Sequence, residues 1–237
     1  MSDPRTEQLA QSLALVRQRV ERACHRAGRD GTEVSLVVVT KTFPADDVAR
    51  LAALGVRDVG ENRDHEAATK AAALAHCGLR WHFVGQVQRA KARSITRYAD
   101  VVHSVDRSAL VQALERGCVA AGRRIEVLLQ VNLDDVSGSG SASRGGAAPA
   151  DIPALAAEVA TTSALVLRGV MAVAPLGTDP APAFARLFDL ATRLRNEHVE
   201  ATWISAGMSG DLEQAVAAGA THLRVGTAIL GQRPPLQ

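Results

Sequence analysis

Aromatic residues are nearly missing from this chain: they make up 3% of its 237 residues, with one tyrosine and two tryptophans. An interior without large rings must be filled by alanine, valine and leucine, which suits a barrel or a doubly wound sheet whose strands are covered on both faces. Cysteine is scarce as well. Cys24, Cys77 and Cys118 form an odd, scattered set with no C-x-x-C pair, the pattern of free thiols in a reducing cytoplasm rather than of a disulfide framework. Neither sign of charge dominates: 27 basic residues stand against 25 acidic ones, a formal net charge of +2, with no long block of either. That balance gives no argument for nucleic acid or an anionic membrane as partner. No apolar run approaches a membrane span, and the opening MSDPRTEQLAQSL carries charges where a secretory signal needs an apolar segment. The expectation is a soluble, cytoplasmic protein. No His-Glu-x-x-His or Cys/His cluster is there to hold a metal.

What is present is a rhythm. Leu9, Leu13, Val16, Val20 and Ala23 recur at helical spacing and stop at Gly28, which predicts an extra N-terminal helix within residues 1–30. After it, short β-rich runs (VSLVVVT, VRDVGEN, LRWHFVG, ADVVHSV, IEVLLQVN, LVLRGVMAV, TWISA, THLRVG) alternate with helical segments such as ADDVARLAALG and PAFARLFDLATRLRNEH. About eight βα units in a chain of this length predict a single-domain (β/α)8 TIM barrel over 1–237. The open doubly wound sheet is the rival, but its G-x-G-x-x-G turn is absent after the first strand. One segment breaks the pattern. Residues 137–151, SGSGSASRGGAAPAD, are expected to form a flexible loop.

The run VSLVVVTKTFP (34–44) delivers a lysine, Lys41, to the tip of an apolar strand. A snorkelling strand-end lysine is the plain alternative. Strand eight carries Arg224 on the face of His222 and Gly226, and barrel closure makes it the neighbour of strand one. Two cations near the C-terminal mouth, where barrel enzymes place their sites, call for an anionic guest. After strand seven, SAGMSGDLEQAVAAG offers Gly207, Gly210, Ser209 and a helix starting at Asp211; after strand eight, Gly226 and Thr227 give a second small turn. Loops seven and eight are the usual phosphate site of this fold. A lysine amine with a phosphate cup describes a guest with an aldehyde at one end and a phosphate ester at the other, which is pyridoxal 5′-phosphate. An ordinary helix cap at GMSG and an internal ion pair of Arg224 are the plain alternatives.

The stretches VVVTKTFP, DVGENRDHE, WHFVGQVQRAK, HSVDR, LLQVN, GVMAVAP and SAGMSGDLEQAVAAGATHLRVGTAILG, in this order from about Leu36 to Gly231, resemble the YggS/PROSC family of pyridoxal phosphate homeostasis proteins. That resemblance implies a fold similar to the N-terminal barrel of alanine racemase. It implies that Lys41 is the Schiff-base lysine, holding the cofactor as an internal aldimine, that Ser205, Met208, Ser209, Gly226 and Thr227 line the phosphate, and that Arg224 faces the pyridine nitrogen. Glu61, Asn62, His82 and Gly85 then belong to the cofactor's surroundings. Arg63 stands where many relatives carry tyrosine, and the loop after QVN lacks their charged pattern.

Residue chemistry agrees with those roles. A lysine amine adds to an aldehyde only when neutral, and burial beside a cation favours the neutral form. An arginine at the ring nitrogen cannot accept a proton, so it weakens the ring as an electron sink, which suits storage better than transamination. The leading expectation is a non-catalytic carrier that buffers the aldehyde and hands it to PLP-dependent apoenzymes, working as a monomer. An amino-acid racemase is the rival, but two-base racemisation needs a second acid/base, and the one tyrosine, Tyr98, sits within a helix-like stretch. A Schiff-base aldolase acting on a phosphorylated sugar is a third. Glu61 has a plainer reading, an ion pair with Arg57 or Lys41. His82 and His103 have one as core histidines, and QRAKARSITR as a solvated helix face.

Overall fold

The computed structural model describes residues 3–134 and 145–232. Its first element, α1 (Pro4–Arg26), starts where Asp3 accepts a hydrogen bond from the Arg5 amide and Pro4 occupies the first turn, both standard helix openers. Leu9, Leu13, Val16, Val20 and Ala23 line its buried face, as their spacing predicts.

The eight strands are β1 (Ser35–Val39), β2 (Asp58–Glu61), β3 (Arg80–Phe83), β4 (Val101–Val105), β5 (Ile125–Gln130), β6 (Leu165–Met171), β7 (Trp203–Ser205) and β8 (His222–Val225). They close in sequence order into a parallel barrel, β8 pairing with β1 at Val37↔Arg224 and Val38↔Val225. The later helices are α2 (Ala45–Ala53), α3 (Asp64–Ala73), α4 (Ala92–Ile95), α5 (Ser108–Ala121), α6 (Ile152–Ala160), α7 (Ala181–Glu197), α8 (Leu212–Ala217) and α9 (Thr227–Leu230). Among the described residues, no helix is long and apolar enough to cross a membrane.

Alternation along each strand sorts side chains between two environments. Val38, Val59, Trp81, Phe83, Leu223 and Val225 belong to the large apolar layer shared with the helices. The opposite face looks into the barrel, where Val101, Leu128 and Met171 make a small apolar cluster and His82, His103, Ser205, His222 and Arg224 are buried with it. A core so short of rings is filled by Val, Leu and Ala, as composition requires.

Three local expectations need correction. β1 ends at Val39, so Lys41 stands in the turn beyond the strand and not on it; Thr42 turns the backbone there with φ +69. Tyr98 lies past the end of α4, in a turn, with its hydroxyl donating to Asp64 at 3.4 Å. The loop expected over 137–151 falls partly outside the described residues, and its described part, 145–151, is tied down: Ala147 bridges Val131, Gln130 donates to the Gly145 carbonyl at 2.6 Å, and Pro149–Asp151 form a 3-10 turn.

Candidate functional site

A cavity of about 380 Å³ opens at the C-terminal mouth of the barrel. Its wall brings together Lys41 from the turn after β1, Asn62 from the end of β2, Gly85 after β3, Met208 and Ser209 after β7, and Arg224, Gly226 and Thr227 from β8 and its turn. A larger cavity of about 590 Å³ lies at the other end, between α1 and the starts of β1 and β2; it holds none of the candidate residues.

Two expected members, His82 and Ser205, are not on the mouth cavity's wall. Both are buried, because inward side chains of a barrel stack in layers and Arg224 occupies the layer above them. Arg224 donates to Ser205 Oγ at 2.6 Å and to the Ala172 carbonyl at 2.9 Å. Below it, His103 Nδ1 meets Ser205 Oγ at 2.9 Å, His103 Nε2 meets His82 Nδ1 at 2.8 Å, and His82 Nε2 meets Asp58 Oδ1 at 2.8 Å.

Donor and acceptor counting fixes the direction of this chain. An ionised Asp58 can only accept, so His82 carries its proton on Nε2 and accepts at Nδ1. His103 must then donate from Nε2 and accept at Nδ1, from the Ser205 hydroxyl. Ser205 keeps a lone pair for the Arg224 guanidinium. Every link from Arg224 down to Asp58 is thereby satisfied with both imidazoles neutral. Electrostatics agree: burial holds the His103 pKa well below its ordinary value, and lowers that of His82 despite the opposing pull of Asp58. Burial also takes His222 down to about 3 and Arg224 down to about 10, so the arginine still carries its charge at neutral pH. Burial opposes ionisation of Asp58, yet the His82 hydrogen bond and the Arg80 guanidinium hold its carboxyl below the ordinary value.

Glu61 pairs with neither Arg57 nor Lys41 among its described contacts. It accepts from Lys70 Nζ at 2.8 Å and from Thr40 Oγ1 at 2.6 Å, and burial raises its pKa. Lys70 itself is a residue that sequence reasoning passed over. The signal was there: a lysine four residues after Glu66, on the helix face that buries Ala67 and Ala71. Asp58 was passed over too, since nothing in VRDVGEN marks its partner, His82, on the neighbouring strand.

The mouth has features of a cradle. A Cβ on Gly226 would meet the Val39 carbonyl oxygen at 2.9 Å, and one on Gly85 the Asn62 carbonyl oxygen at 2.5 Å, so side chains are excluded from both sides of the opening. Asn62 Oδ1 is buried without a hydrogen-bond partner among the described residues, an unmet polar group of the kind a ligand satisfies. The first amides of α9, at Thr227 and Ala228, have no intrahelical acceptor. The Met208 amide is already committed to Asp211 Oδ1 at 2.6 Å, so anion contacts on the β7 side fall to its neighbours. Among the described residues, no group of three or more His, Cys, Asp or Glu could hold a metal ion.

The alanine racemase, N-terminal domain family model matches residues 12–234. A Mycobacterium tuberculosis protein named pyridoxal phosphate homeostasis protein is 44% identical, over 97% of this chain and 94% of its own. The chain belongs to the pyridoxal phosphate homeostasis protein family. An Escherichia coli member of that family is 36% identical over 95% of this chain and 97% of its own. Among solved structures, PipY of Synechococcus elongatus with PLP bound superposes with a TM-score of 0.79 at 33% identity, covering 94% of this chain and all 100% of that one. Alanine racemase of Corynebacterium glutamicum shares the fold, with a TM-score of 0.68 at 14% identity, and this chain spans 63% of its length.

Proposed function

We propose that this chain binds pyridoxal 5′-phosphate at the barrel mouth and serves in its homeostasis as a carrier and buffer, with Lys41 as the covalent attachment point. The observation that carries the reading is the grouping of Lys41, Arg224, Ser209, Gly226 and Thr227 on one wall, in a family whose solved member PipY has PLP bound. The aldehyde supplies an electrophilic carbon; the Lys41 amine adds to it, and one water leaves as the C=N bond forms.

The chain's own residues divide the remaining work. Ser209, Thr227 and the amides of Thr227 and Ala228 are the donors for the phosphate, and Gly226 leaves room for it. Asn62 Oδ1 takes a hydrogen bond that the protein leaves unmade. Arg224 is the group for the ring nitrogen. Its charge is held by Ser205 and Ala172, and a guanidinium that keeps its proton does not donate one to the ring. His82 and Ser205 act below the cofactor, by holding Arg224. Met208 shapes the wall.

Support for a carrier over a racemase comes from Tyr98. The chain's one tyrosine bonds Asp64 and is absent from the cavity wall, and burial raises its pKa, away from acid/base work at neutral pH. We place the protein in the cytoplasm, acting as a monomer, with PLP-dependent apoenzymes as recipients and amino acids as passing ligands.

The test is borohydride trapping. The purified protein mixed with pyridoxal 5′-phosphate turns yellow, is bleached on reduction, and yields a Lys41 peptide carrying the cofactor mass. Lys41→Ala loses that adduct. Retention of the adduct at full yield in Lys41→Ala would refute the attachment point, and rapid entry of solvent deuterium at Cα of alanine would replace the carrier by a racemase.

A further inference from the structure

Lys41 stands in a turn that the backbone should resist. Among the described residues, Thr42 is the one non-glycine at positive φ. For a β-branched residue, the left-handed region costs on the order of 1–3 kcal/mol and persists only when the surroundings over-determine it. Those surroundings can be named. The Thr42 amide donates to Glu66 Oε1 at 2.6 Å, and the same oxygen accepts from Lys70 Nζ at 2.6 Å. On the other side of Lys41, Lys70 Nζ donates to the Thr40 carbonyl at 3.0 Å, while the Thr40 hydroxyl donates to Glu61 Oε1 at 2.6 Å.

One ammonium and two carboxylates thus grip both neighbours of Lys41. Lys70 is 5% exposed and Glu61 1%. A buried ionic cluster of this kind is a weak source of stability, since apolar residues of like volume do as well. A role in fixing one backbone geometry accounts for it better. The cluster also leaves Glu61 Oε2 and Thr42 Oγ1 buried without a partner among the described residues, so hydrogen-bond satisfaction has been given up around the same turn.

We propose that Glu66 and Lys70 are positioning residues that hold Thr42 in its left-handed conformation and so aim Lys41 into the mouth cavity. The inference rests on the reading of Lys41 as the amine that bonds the cofactor. Glu66 fixes the turn through the Thr42 amide. Lys70 fixes Glu66 and, with Glu61, the end of the strand at Thr40. α3 therefore sets the direction of a side chain that it does not carry.

The experiment titrates pyridoxal 5′-phosphate into wild type, Glu66→Ala, Glu66→Gln and the Glu66→Ala/Thr42→Gly double variant. Readouts are the imine absorbance band and the reduced Lys41 adduct, with urea unfolding of the apo forms as control. Glu66 is the residue to change, because its side chain is 24% exposed and its loss leaves little uncompensated charge in the core. Glu66→Ala is expected to weaken binding about tenfold, the equivalent of releasing a strained turn. Glu66→Gln, which keeps a carbonyl acceptor, falls between. Glycine adopts the left-handed region without penalty, so Thr42→Gly restores Glu66→Ala to within about threefold of wild type. Unchanged affinity in Glu66→Ala, or a loss that Thr42→Gly does not repair, overturns the proposal. If wild type itself gives no Lys41 adduct, the attachment reading falls and takes this one with it; if wild type gives the adduct, a failure belongs to the positioning role alone.

Discussion

Arg19 of α1 reaches across to the turn after β7 and donates to the Ser209 carbonyl at 2.8 Å, while its other nitrogens hold Glu213 at 2.6 and 2.7 Å. From the same helix, Arg5 donates to the Leu230 carbonyl at the end of α9. The N-terminal helix therefore braces, from outside the barrel, the turn after β7 and the far end of the short helix that follows the β8 turn.

Arg19→Ala tests that brace. Both partners are about a third exposed, so the ion pair contributes only about 0.2–1 kcal/mol to folding. Pyridoxal 5′-phosphate binding should weaken about three- to tenfold, because the Ser209 turn loses a charge-assisted hydrogen bond. Titration with urea unfolding as control separates the two effects. Equal binding would show that the turn stands without α1.

Ser205→Ala interrupts the chain from Arg224 to Asp58. It strands a buried guanidinium N–H and His103 Nδ1, each at about 1–3 kcal/mol. Urea unfolding should show the loss, and cofactor affinity should fall while the reduced adduct still maps to Lys41. Wild-type stability in this variant would contradict the hydrogen bonds assigned to Ser205.

Gly226→Ala introduces a Cβ 2.9 Å from the Val39 carbonyl oxygen. The φ there is −117°, acceptable to alanine, so crowding is the whole effect: about 1–3 kcal/mol of stability and a marked loss of cofactor affinity. Full retention of binding by isothermal titration would remove this turn from the phosphate site.

Acid should destabilise the fold before most carboxylates titrate. The folded pKa values of His82, His103 and His222 lie below the ordinary histidine value, His222 near 3. Below pH ~6.5 the unfolded chain takes up protons that the folded one refuses, so stability falls as pH drops, with a ceiling of about 1.4 kcal/mol per pH unit for each such histidine. Asp58, with a lowered pKa, acts in the same direction at lower pH; Glu61, raised, acts in the opposite one. Urea unfolding free energies at pH 7, 6 and 5 check the slope. A flat profile would mean that these imidazoles are charged in the fold.

The architecture was legible because it is periodic. Eight β-branched runs and the heptad-like face of α1 each carry their own signal, and every strand forms within the run that predicted it. The mouth was legible because glycine turns and a lone lysine at a strand end are uncommon in sequence. The polar chain was not. Asp58, His82, His103 and Ser205 come from four strands, and only closure of the sheet brings them into line. His82 and Ser205 were expected beside the cofactor from the family resemblance alone; their depth along the barrel axis depends on strand stagger, which no motif records. Lys41 was read as the tip of β1 because no residue type in TKTFP announces a left-handed threonine. That conformation is imposed by α3, more than twenty residues later.

Asp58 has a second aspect. It also lines the cavity at the opposite end of the barrel, while Val101, Leu128 and Met171 fill the interior between the two openings. The hydrogen bonds from Arg224 through Ser205, His103 and His82 to Asp58 all donate in one direction, so a single line of aligned dipoles joins the mouth to the underside.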